Sequence, residues 1–201
     1  ILGWDPSLGT GGDNAAIQVI ELPSMIQVAE WQHNKTDMRG QLKVVQGILG
    51  YIDYEIKKVS RKAEIFWSVE NNTIGEAALM SISEFGEENI PGTFISEPGN
   101  KRKGFTTTNK PKLAACAKFK TLLESKKLTI HSRSLISELK AFVASGGSYA
   151  AKIGDTDDLV MSSLLAVRMM TQLANYHGDL ENYIRDHDEI IEPLPFFAIL
   201  G

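Results

Sequence analysis

Gly154-Asp155-Thr156-Asp157-Asp158-Leu159-Val160-Met161-Ser162-Ser163-Leu164-Leu165 puts three carboxylates into four residues and then runs into an apolar segment that reaches Met170. Leu159, Val160, Met161, Leu164, Leu165, Val167, Met169 and Met170 leave almost no polar face, the pattern of a helix buried inside a domain. Its first turn therefore holds carboxylates at the edge of the core, where solvation is poor. One reading is capping: an Asp or Thr accepts from free N–H groups, and negative charge suits the positive end of the helix dipole. A single Asp would do that. Adjacent Asp157 and Asp158, with Asp155 just before them, repel one another, and a cation is the simplest remedy. Its other ligands must come from elsewhere in the chain.

Upstream, two more acids stand just past apolar runs that read as strands. Asp5 follows Ile1-Leu-Gly-Trp4, and Glu70 follows Ile65-Phe-Trp-Ser-Val69. In an α/β sheet the carboxyl ends of strands share an edge, where sites usually form. If the two strands are neighbours, their ends lie about 5 Å apart. Each acid has a plain alternative: a turn Asp before Pro6, a solvated strand end at Glu70, a helix cap at Asp158. Their joint occurrence is what a metal edge explains. Oxygen ligands suit Mg²⁺ or Mn²⁺, and His33, His131, His177, His187 and Cys116 offer no zinc spacing. Two such ions roughly 3.5–4 Å apart can activate water and stabilise the leaving oxygen in phosphodiester cleavage.

Between these points the patterning predicts an α/β order. Ile1–Trp4, Ala15–Glu21 and Met25–Trp31 read as three antiparallel strands, the last two joined at Pro23-Ser24. Met38, Leu42, Val45, Ile48, Leu49, Ile52, Ile56 and Val59 step by three and four, a helix over 36–59. Asn71-Asn72-Thr73 caps a helix through Phe85, and Gly92–Ser96 is a further strand. A loop over 97–110, a helix from Pro111 to Ser125, a strand Leu128–His131 and a helix Leu135–Ala144 follow. Ser145-Gly-Gly-Ser148 then turns into Tyr149–Ile153 and the acidic helix. The implied architecture is a mixed sheet with helices on both faces.

The 201 residues suit one domain over 1–178, followed by a tail over 179–201 that is acidic and ends apolar. Net charge is −4, but 179–192 holds six acids and one base; removing them from 25 and 21 leaves 19 and 20, a net +1. Lys101, Arg102, Lys103, Lys110 and Lys112 form a basic stretch able to hold DNA phosphates. Cys116 lies in an apolar helical context and reads as an inert thiol in a reducing compartment. Trp4, Trp31 and Trp67 read as core, and Asp13 as a turn residue, with contact to the groups around the metals as the alternative. No apolar run approaches the roughly 20 residues that span a bilayer.

The turn Asp5-Pro-Ser-Leu-Gly-Thr-Gly-Gly-Asp13, the run Val69-Glu70-Asn71-Asn72, and the stretch Gly104–Met161 carry a family likeness. That stretch includes Lys110-Pro-Lys112, Leu128-Thr-Ile-His131 and Gly154-Asp-Thr-Asp-Asp-Leu-Val-Met-Ser162. Together they resemble the nuclease domain of the large terminase subunit of T-even-like tailed bacteriophages, over most of the chain up to about residue 170. The resemblance implies an RNase H-like fold of the resolvase and integrase type. It implies a metal-dependent endonuclease that cuts concatemeric viral double-stranded DNA during packaging, with little sequence preference. It makes Asp5, Glu70 and Asp158 the catalytic acids, with Asp157 beside them as a further ligand, and Mg²⁺ or Mn²⁺, as two ions, the cofactor. The implied partners are double-stranded DNA, a terminase ATPase domain, the capsid portal and the small terminase subunit, in the host cytoplasm and with no membrane. Thr156 stands where the family often has His. No Walker A motif is present, so the motor is expected on a missing part of a longer chain, in keeping with a start that is not Met.

Three rivals remain in view. A docking module that only holds DNA or portal would not need the acids. A resolvase or transposase of the same fold would prefer branched DNA. An actin- or sugar-kinase-like ATPase would use Asp5-Pro-Ser-Leu-Gly9-Thr10 as a phosphate turn but needs a second, similar half.

Overall fold

The computed structural model describes residues 1–59 and 62–175, so the tail expected over 179–201 lies outside the described residues. Five strands, β1 (Leu2–Asp5), β2 (Ala15–Glu21), β3 (Ile26–His33), β4 (Phe66–Val69) and β5 (Thr93–Phe94), form one mixed sheet in the order β3-β2-β1-β4-β5. The first three are antiparallel; β4 runs parallel to β1, and β5 to β4. This is the RNase H-like architecture, with helices on both faces.

Side-chain alternation divides the core in two. Leu2, Trp4, Ile17, Val19, Trp67 and Val69 point to one face and pack on Leu42, Val45 and Leu49 of α1 (Met38–Val59) and on Ala78 and Ile82 of α2 (Thr73–Phe85). Ala16 and Ile20 point to the other, against α3 (Asn109–Glu124), α4 (Arg133–Ala141) and α5 (Asp158–Ala174). Helix α5 is buried all round, as its sequence requires, and Ser162 and Ser163 return their hydroxyls to the Leu159 carbonyl at 3.0 and 2.7 Å. It crosses β1 at Gly3, where an added Cβ would stand 2.6 Å from the Ser162 carbonyl oxygen. Gly3 thus sets how closely α5 approaches the strand that ends in Asp5. Gly3→Ala should force the helix outward and cost about 1–3 kcal/mol, as overpacking does, measurable by urea unfolding.

Three expected elements differ. Over Leu128–His131 the strand reduces to a bridge between Thr129 and Ile26, because Oε1 of Gln27 takes the His131 and Ser132 amides at 2.9 and 2.8 Å and turns the chain into α4. Helix α4 ends at Ala141 rather than Ala144, and Phe142–Ser145 (β6) pairs with Ser148–Ala151 (β7) as a separate hairpin. Gly146 and Gly147, both at positive φ, make the two-residue turn that right-twisted strands prefer. The strand expected over Gly92–Ser96 is only Thr93–Phe94, although the Ile95 amide still bonds the Trp67 carbonyl at 3.0 Å.

Candidate active site

Strands β1 and β4 end at the same edge, Trp4 opposite Val69, and the Glu70 amide donates to the Trp4 carbonyl at 2.9 Å. The alternation that sends Trp4 and Val69 into one core turns Asp5 and Glu70 toward the first turn of α5. Asp5, Glu70, Asp157 and Asp158 accordingly line one cavity of about 520 Å³. Asp13, Asn14, Asp155 and Lys112 line it too.

Asp5 and Glu70 are 9% and 6% exposed. Burial pushes the Asp5 carboxyl well above the usual carboxylate range; the charge of Glu70 and a hydrogen bond to it act the same way, and Asp158 and Asp157 add repulsion. Burial beside like charge thus disfavours the ionised form of Asp5, the situation that an added cation relieves. Burial also raises Asp158, opposed by two hydrogen bonds from Asn14 to Oδ2, from Nδ2 at 2.8 Å and from the backbone N–H at 3.2 Å.

Capping does not account for the paired acids. Asp157 stands at the cap position of α5 but makes no side-chain cap bond; its Oδ2 accepts from the Ala151 amide of the hairpin at 3.3 Å. The cap comes from Glu138 on α4, whose Oε2 accepts from the Leu159 and Val160 amides at 2.8 and 3.1 Å. Among the described residues no three His, Cys, Asp or Glu side chains stand as a ready-made cage for a metal ion. Four carboxylates facing one cavity are nonetheless, by their oxygen chemistry, a donor set that suits a hard divalent cation rather than zinc.

The five cations expected to grip DNA are divided. Lys112 lines the cavity, while Lys110 is exposed in the first turn of α3 and is not part of the lining. Lys101, Arg102 and Lys103 lie outside the cavity lining, on a loop where Arg102 pairs with Glu76 at 3.2 Å and Lys103 with Glu87 at 2.6 Å. Beyond that loop, Arg168 of α5 anchors the chain through Glu97 at 2.7 Å and the Thr106 carbonyl at 3.2 Å. Trp4 and Trp67 are fully buried, while Trp31 is half-buried; His33 bonds Thr36, and neither it nor His131 lines the cavity. His177 and His187 fall outside the described residues.

The sequence reading missed Asn14 and Glu138. Asn14 carried no signal beyond closing the Gly-rich turn. Glu138 did carry one: it follows Leu135 by three on the apolar stripe of α4, and a charge there needs buried partners.

The chain matches the family described as the terminase RNaseH-like domain over residues 2–170. It belongs to that family. This terminase domain also shares its fold with the large terminase nuclease from thermophilic phage G20c. The magnesium-bound structure superposes with a TM-score of 0.59 at 16% identity, covering 83% of this chain and 79% of that one. The cobalt-bound form gives 0.59 at 14%, with the same coverage. The zinc-bound form gives 0.56 at 16%, covering 83% and 78%. In the terminase domain described here, no helix among the described residues is long and apolar enough to cross a membrane.

Proposed function

We propose that this domain is the Mg²⁺- or Mn²⁺-dependent endonuclease of a phage large terminase, of the T-even kind, cutting concatemeric double-stranded DNA during packaging with little sequence preference. The observation that carries the reading is the convergence of Asp5, Glu70, Asp157 and Asp158 on one cavity in a member of this family. The metal-bound G20c nucleases of the same fold support it. Asp5, Glu70 and Asp158, with Asp157, would hold two ions, the number the sequence resemblance implies; when bound, they supply Lewis acidity and an activated water. Asn14 fixes one oxygen of Asp158. A bound cation would offset the burial and like charge that disfavour the ionised form of Asp5. Lys112, with Thr107 and Thr108 at the start of α3, offers a positive charge and hydroxyls to the phosphates across the cavity. The working assembly adds the ATPase domain, the small subunit and the capsid portal, in the host cytoplasm.

The test is substrate choice with Mn²⁺. The proposal expects plasmids and linear duplexes of unrelated sequence to be cut alike; strong preference for four-way junctions would favour a resolvase instead.

The basic residues give a second expected result. The pairs Arg102–Glu76 and Lys103–Glu87 are exposed, and such pairs are worth about 0–1 kcal/mol, so a phosphate can displace either carboxylate. Binding should weaken with salt at a slope of about −0.9 per phosphate neutralised. Replacing Lys101, Arg102 and Lys103 by Ala should flatten that slope equally for unrelated sequences. An unchanged slope would leave the grip to Lys110 and Lys112, which the corresponding double alanine variant reads out.

A further inference from the structure

We infer that Glu138 is the positioning residue that keeps Asp157 and Asp158 available to a divalent cation, by capping the helix that carries them. The inference rests on the metal-nuclease reading above and adds a residue to it. A helix start leaves its first N–H groups without intrahelical partners, and a buried start must find acceptors. In sequence the obvious acceptor for α5 is Asp157, a preferred capping type at the cap position. Glu138 takes its place from a different helix. Glu138 is 7% exposed, and its carboxylate receives four donors: the Leu159 and Val160 amides on Oε2, and Gln32 Nε2 at 2.8 Å and Thr156 Oγ1 at 3.1 Å on Oε1. It thereby ties β3, α4 and the start of α5 together at the point where the acidic run meets the helix.

The consequence is a division of labour between carboxylates. The anion that satisfies the α5 N-terminus does not itself line the cavity, and the two Asp side chains that do line it make no cap bond to the helix. Without Glu138, two buried N–H groups lose their acceptor, and Asp157 stands at the cap position with a side chain of capping type. Turning to the helix end would take Asp157 out of the cation's reach. Outer partners that orient metal ligands typically matter about 10–100-fold in affinity or activity, although here the partner orients a ligand by relieving it of another task.

Manganese titration calorimetry on the full chain tests this, beside duplex DNA affinity measured in EDTA. Glu138→Ala and Glu138→Leu should raise the Mn²⁺ dissociation constant about 10–100-fold while DNA affinity in EDTA stays at the parent's value. Glu138→Gln keeps an oxygen for the two amides and should retain most of the affinity. In an Asp157→Asn background the further loss from Glu138→Ala should shrink, because the side chain being withdrawn is already a poor ligand. A folded Glu138→Ala or Glu138→Leu protein with parental Mn²⁺ affinity overturns the inference, as does a fully additive double variant. Should both fail to fold, Glu138→Asp, whose carboxylate is one methylene short, carries the same expectation of weaker Mn²⁺ binding, and parental affinity there overturns it. A parent chain that takes up no Mn²⁺ overturns the metal reading itself, a result separate from any difference among variants.

Discussion

Asp5→Asn will stop plasmid cleavage and, in the same molecule, make the metal-free domain more stable above mildly acidic pH. The first effect follows from removing a carboxylate that the proposed metal site requires. A loss on the order of 10³-fold or more corresponds to about 4 kcal/mol of transition-state stabilisation. Glu70→Gln and Asp158→Asn should do the same, and combining them should add little, since groups acting as a unit are not additive. The second effect follows from burial. Asp5 in the native chain titrates well above its ordinary value of 3.8, held up by burial and then by Glu70. Between those two values the native state binds more protons than the unfolded state, so stability falls as pH rises through that window. Asparagine carries no such charge, and its Nδ2 can donate to Glu70. Thermal melts in EDTA should therefore fall with pH for the parent and flatten for Asp5→Asn. Parental nicking by a folded Asp5→Asn protein would remove Asp5 from the site.

Manganese should raise the melting temperature of the parent strongly. A ligand at 100 times its dissociation constant stabilises the state that binds it by about 2.7 kcal/mol. For a domain of this size that is a shift of roughly 5–11 °C. Asp158→Asn should lose most of it, because Asp158 presents its charge to the cavity from a helix start that Glu138 already caps. The raised Asp5 carboxyl must lose its proton to ligate, so the shift should also grow with pH. Equal shifts in parent and variant would put the ion elsewhere.

Much of this site was legible because its acids sit at punctuation points of the chain. Asp5 and Glu70 close apolar runs, and Asp157 and Asp158 open a helix with no polar face, so the pattern alone placed them at the edge of a core. The parallel pairing of β1 with β4 then brought the two strand ends together. What stayed hidden depends on contacts far apart in sequence. Glu138 reaches α5 across about one hairpin's length of chain, and Asn14 meets Asp158 from the opposite end of the domain. The β6–β7 hairpin was obscured for a different reason: Phe142, Val143 and Ala144 continue the apolar stepping of α4, and only the Gly146-Gly147 turn forces a reversal. The basic stretch was visible as composition, but its division between cavity and surface ion pairs was not, since charge counts carry no direction.

Anomalous diffraction from crystals of the full chain grown in MnCl₂ tests the central claim most directly. The account predicts manganese among the carboxylates of Asp5, Glu70 and Asp158, with Asp157 beside it, and no such peak in Asp5→Asn crystals. Manganese bound only outside that cavity, in a protein that still cuts plasmid, would contradict it.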